Sequence, residues 1–131
     1  MTRGRAVQLF QFVGFFVAPA AWFGQHLIGQ AISQAGCSAA NGSWGVSNGS
    51  WGVSIRAWQI VLLAMACTLI LLSEAAAVAA FRSTSESYQS PPPEGRIRLI
   101  AIAAMTTNLI YLIIVLLDGI ASIVDIACRQ S

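Results

Sequence analysis

Charge is scarce in this sequence. Charged residues make up 9% of its 131 positions, where soluble domains run near a quarter. Five acidic and seven basic side chains are too few to cover a water-soluble globule, so the chain belongs in a membrane. A hydrophobic content of 56% and a mean hydropathy of +0.71 agree. Lysine is missing altogether, and every base is an arginine. That reads as the compositional bias of a GC-rich bacterial genome, and a net charge of +2 points to no nucleic-acid partner. Histidine occurs once, as His26, and cysteine three times, with no Cys-x-x-Cys. A glycine-rich phosphate loop, a metal-ligand cluster and a nucleophile–His–acid set are all lacking. The expectation is a protein that is not an enzyme, has no catalytic residue, binds no metal and carries no cofactor. No inverted repeat is present either, which excludes the usual two-halved transporter cage unless the chain oligomerises.

What is present is three apolar runs, each near the ~20 residues needed for a membrane span. They cover about 7–33, 55–81 and 99–124 and predict an all-α integral membrane protein, a single membrane domain over 1–131. Arg3 and Arg5 ahead of the first run resemble the start of a signal peptide, with a small-residue site near Ala18–Ala21. The apolar run continues past that site to Ile32, so an uncleaved first helix is the preferred reading. An N-terminus in the cytoplasm puts Arg3, Arg5, Arg82, Arg96 and Arg98 inside and leaves Arg56 and Arg129 outside. The positive-inside rule favours that orientation, with a periplasmic C-terminus.

The outer loop 34–54 holds a tandem heptapeptide, Asn41–Ser47 and then Asn48–Ser54, both reading NGSWGVS. Slippage duplication in a tolerant loop is the simple explanation. The sharper one makes Trp44 and Trp51 a docking surface for a partner. The inner loop 82–98 is polar, and Pro91–Pro93 holds part of it extended. Arg96 and Arg98, at the mouth of the third helix, suit contact with phospholipid phosphates.

In the third run, Ala101, Ala104, Asn108, Tyr111, Val115, Asp118, Ser122 and Asp125 recur at steps of three and four. One helix face therefore carries nearly all the polar and small side chains, and such faces meet other helices in a bilayer. In the first run Gly14, Ala18, Ala21, Gln25, Gly29 and Ser33 form a similar seam, with Trp22, His26, Gln30 and Gln34 beside it. Gln25, Gly29, Asn108 and Tyr111 are the expected helix-packing residues. The centre of the second run offers only Cys67 and Thr68. Arg56, Trp58 and Gln59 at its start read as an interfacial anchor. Glu74 has three open choices: Arg96 or Arg98, a proton, or a neighbouring subunit.

His26 admits two readings, an axial ligand to haem or chlorophyll or a hydrogen-bonded imidazole. A bis-histidine haem needs a second histidine that this chain does not have, so the second reading is preferred. Counting inward from the helix ends puts His26 level with Asp118, which predicts a polar cluster of the two with Arg56 as a third member. A proton relay is the functional alternative to this structural clamp. Cys37 and Cys128 both fall just beyond outer helix ends and are expected to form a disulfide in the periplasm.

Ala18-Pro19-Ala20-Ala21-Trp22, then His26, then Cys37, and a last helix followed by Cys128 resemble a group of small three-helix membrane proteins. These are associated with bacterial haem-copper cytochrome c oxidases, and share a Pro-x-x-Trp-x-x-x-His first helix with outer cysteines. The resemblance implies an accessory subunit without redox centres, stabilising or bridging a respiratory complex in the bacterial inner membrane. Its partners would be other membrane subunits and phospholipid, with no small-molecule substrate. Two alternatives are an accessory subunit of a photosynthetic reaction-centre complex and a small homo-oligomeric channel or transporter lined by Asn108, Asp118 and Glu74.

Overall fold

The structure, a computed structural model, describes residues 3–37, 55–84 and 94–124. Each of these segments is helical: α1 is Arg3–Cys37, α2 is Ile55–Ser83 and α3 is Glu94–Val124. All three contain a stretch long and apolar enough to cross a bilayer, at Arg5–Gln34, Ile55–Ser83 and Gly95–Val124. Lipid offers no hydrogen bonds to the backbone, so a spanning segment satisfies its own amides by forming a helix. At ~1.5 Å per residue these stretches are ~45 Å long, and the hydrocarbon layer is ~30 Å. Their ends therefore project into the headgroup region, or the helices tilt.

Helix α1 continues through Pro19. Proline has no N–H, so the carbonyl of Phe15 loses its usual helical donor. Two carbonyls next to it, those of Val13 and Gly14, accept hydrogen bonds from the Ser73 hydroxyl on α2 (3.2 and 3.1 Å). At its C-terminal end α2 closes on itself. The Thr84 amide donates to the Phe81 carbonyl (3.2 Å), and the hydroxyls of Ser83 and Thr84 both donate to the carbonyl of Ala80. These bonds occupy carbonyls that a helix end leaves without partners.

Every pair of helices is in contact, and the order is up, down, up. Gly14 on α1, Ser73 on α2 and Asn108 on α3 share one level, and Gly29 faces Gln59 about two-thirds of a membrane away. The core is built from Ala18, Ala21, Ala66, Ile70 and Val115, with Trp22, Leu63, Cys67, Tyr111 and Leu112 packed around it. Small residues dominate because association in lipid gains little from hydrophobicity and much from close approach. Gly14 is the tightest case on α1. A Cβ there would meet the Ala77 backbone N at 3.0 Å and Cα at 3.1 Å. Large apolar side chains such as Phe16, Leu72 and Leu117 point outward, which suits lipid tails and would be wrong in water.

Candidate functional site within the helix bundle

Three polar groupings join the helices. The first centres on Asn108, which is 1% exposed. Its Nδ2 donates to the Gly14 carbonyl (3.0 Å) and to Glu74 Oε2 (3.2 Å), and its Oδ1 lies 3.4 Å from the Ser73 hydroxyl, whose one hydrogen it shares with the Val13 and Gly14 carbonyls. Both amide hydrogens and the carbonyl oxygen are thereby engaged, which fixes the orientation of the amide. Glu74 is half-buried and about 8 Å from the midpoint of α2 at the helical rise. It is bonded to Asn108, and among the described residues the ion pair shown is His26–Asp118, not one from Glu74 to an arginine.

The second grouping ties α2 to α1. Gln59, buried in the second turn of α2, donates Nε2 to the Gly29 carbonyl (3.0 Å) and to the Ser33 hydroxyl (3.1 Å). One turn back along α1, Gln25 is buried against Gly119 of α3 and Leu63 of α2, and its Oε1 has no donor among the described residues.

The third grouping is His26 with Asp118. His26 Nδ1 lies 3.3 Å from Asp118 Oδ2, so the imidazole N–H donates to the carboxylate. A carboxylate on one ring nitrogen fixes the tautomer and the ring orientation. Trp22 supports the ring from one side, with centroids 6.1 Å apart, and itself rests on Tyr111 at 5.8 Å. The pair is only partly covered: the His26 side chain is 43% exposed and that of Asp118 31%. Gln30, one turn beyond His26, is exposed.

The structure thus brings His26 and Asp118 together, and buries Gln25, Gly29 and Asn108 between helices with Tyr111 half-buried beside them. Arg56 stands apart. It is exposed, and among the described residues no hydrogen bond or ion pair joins it to His26 or Asp118. Arg96 is exposed, as a headgroup contact requires. Arg98 is more enclosed. It is half-buried, its guanidinium lies over the Phe81 ring at 4.5 Å, and its Nη1 donates to the Thr84 carbonyl (3.3 Å). It therefore serves as a clasp between the end of α2 and the start of α3. The Cys37–Cys128 disulfide and the Trp44 and Trp51 loop lie outside the described residues. Among the described residues no three His, Cys, Asp or Glu side chains gather as a metal site would require.

Sequence reasoning placed Gln59 in an interfacial anchor, whereas it is buried against α1, and it gave Ser73 no role, yet a signal was available. Gln59, Ala66, Ile70, Ser73, Ala77 and Ala80 recur at helical steps and are all buried. The stripe hid because half of it is alanine, which is equally at home facing lipid.

The fold and its polar groupings define a three-helix membrane protein whose interior is held by side-chain hydrogen bonds. Comparison with known protein families, characterised proteins and solved structures finds no match.

Proposed function

We propose that this chain is a non-catalytic accessory subunit of a bacterial respiratory membrane complex, cytochrome c oxidase or its supercomplex. The carrying observation is the lateral exposure of the His26–Asp118 pair. Both residues lie within about 10–13 Å of the midpoints of their spans, where the neighbours of an isolated chain would be lipid tails. Ionisable groups at that depth are costly unless protein covers them. A partner packed against the α1–α3 face supplies that cover. The same helix is the least enclosed of the three: 11% of its most apolar window is buried, against 28% for α2. The polar residues of α1 thus mark an assembly surface. The kind of complex is taken from the first-helix resemblance. The arginine distribution supports an inner-membrane protein with a cytoplasmic N-terminus.

Mild-detergent purification of the tagged chain, followed by mass spectrometry of co-purifying proteins, tests the reading. Haem-copper oxidase subunits are the expected result. Pigment-binding subunits would move the protein to a photosynthetic complex, and recovery of this chain alone would overturn the assignment. Replacing both His26 and Asp118 by Leu leaves a face that lipid tolerates. The double variant is expected to fold and to lose its partners. Undiminished co-purification would remove this face as the interface.

A further inference from the structure

Beside the Asn108 cluster, α2 and α3 part to form a groove of about 500 Å³, a volume typical of small-molecule sites. We propose that it binds a membrane-dissolved amphiphile whose hydrogen-bond-donating head meets the Glu74 carboxylate. This inference is independent of the assembly role.

The walls are Ile70, Leu71, Met105 and Leu109, all apolar. Two polar side chains on the lining have already used their hydrogens. Asn108 gives both of its own to Gly14 and Glu74, and the Thr106 hydroxyl donates to the Ile102 carbonyl (3.1 Å). What remains for a ligand on this lining is acceptor oxygen, the Glu74 carboxylate and the Thr106 hydroxyl oxygen, so the groove selects a donor. Asn108 holds Glu74 in place from behind, and Ser73 and Gly14 hold Asn108 in turn. A positioned polar group in an apolar concavity is what a specific site for an apolar molecule needs.

Depth and size decide the occupant. Glu74 lies about 8 Å from the midpoint of its span, below the reach of a phospholipid headgroup. The head must belong to a molecule that enters the hydrocarbon layer, such as a long-chain alcohol or phenol. The lining spans Ile70–Glu74 on α2 and Met105–Leu112 on α3, about 10 Å along the axis. A partner helix would need a groove running along the bundle, whereas this one ends after two turns.

Photolabelling of the full-length chain tests the site, both in native membranes and in lipid nanodiscs. The probes are hexadecanol carrying a diazirine close to the hydroxyl, and its methyl ether, which lacks the donor. The alcohol is expected to label Met105–Leu112 about five-fold more than the ether, the effect of one hydrogen bond. The Glu74→Leu variant is expected to bring the two probes level. Leu109 is 61% exposed and outside the hydrogen-bonded cluster, so Leu109→Trp fills the groove without disturbing the fold and should reduce labelling by both probes. Equal labelling by alcohol and ether in the unaltered chain overturns the proposal. So does labelling that Leu109→Trp leaves unchanged. Labelling seen in nanodiscs but blocked in native membranes would assign the groove to a partner helix and overturn it as well.

Discussion

Asn108 gives both amide hydrogens and one acceptor position to the bundle, and the consequences of losing it follow from its partners. Intramembrane hydrogen bonds average about 0.6 kcal/mol, so Asn108→Leu, which breaks three, should cost about 2 kcal/mol. Ser73→Ala should cost less, because it removes one shared hydrogen: the Val13 and Gly14 carbonyls are backbone groups of an intact helix, and only Asn108 Oδ1 loses a donor. Denaturation in mixed micelles measures both, and a Ser73→Ala loss equal to that of Asn108→Leu would contradict the ordering. His26 and Asp118 give a second test. Asp118→Leu leaves an imidazole without its partner, whereas His26→Leu leaves an aspartate, among the side chains costliest to hold in a bilayer. His26→Leu should therefore lower the melting temperature more, and the double Leu variant should recover part of the loss, since removing both partners of a buried pair is often neutral. A double variant less stable than His26→Leu would mean the pair is not coupled. Of these residues, Asn108, His26 and Asp118 were legible because polar side chains stand out against an apolar helix. Ser73 was not, since serine in a membrane helix satisfies itself on its own backbone as readily as on a neighbour.

Whole elements were more legible than single contacts. Three apolar runs specify three helices, and the Gly14-to-Ser33 seam specifies which face of α1 packs. What the sequence does not carry is the local clearance at each glycine, because that depends on what the neighbouring helix presents. The structure separates three cases that look alike in sequence. A Cβ on Gly119 would come within 2.5 Å of Leu63 Cδ1 and 3.0 Å of Gln25 Nε2, both ends of movable side chains. One on Gly14 would meet the Ala77 backbone at 3.0–3.1 Å, and backbone moves only if the helices part. One on Gly24 meets nothing within 4 Å. Gly14→Ala should therefore destabilise the bundle more than Gly119→Ala, despite the closer nominal contact at Gly119. Gly24→Ala should be neutral or stabilising, since alanine is the better helix former by up to about 1 kcal/mol. Thermal denaturation of the three variants in one detergent ranks them. A Gly14→Ala variant as stable as Gly24→Ala would show that α1 and α2 are not in close contact there.

The up-down-up order of the whole molecule makes one consequence of its cysteines testable. Helix α1 ends at Cys37, and α3 ends at Val124, four residues before Cys128. Because α1 and α3 run in the same direction, both ends emerge at the same side of the bundle. The proposed orientation makes that side the periplasm, where a disulfide persists. Cys67 provides an internal reference, as it lies within α2, half-buried against the alanine core. A membrane-impermeant maleimide added to intact spheroplasts therefore separates two independent claims. With a periplasmic disulfide, Cys37 and Cys128 stay unlabelled until reductant is added, and both then react while Cys67 does not. Labelling without reductant would keep the orientation and remove the disulfide. Labelling only after the membrane is permeabilised would place this side of the bundle in the cytoplasm. That result would reverse the arginine-based orientation, and with it the side on which the Trp44 and Trp51 loop meets a partner.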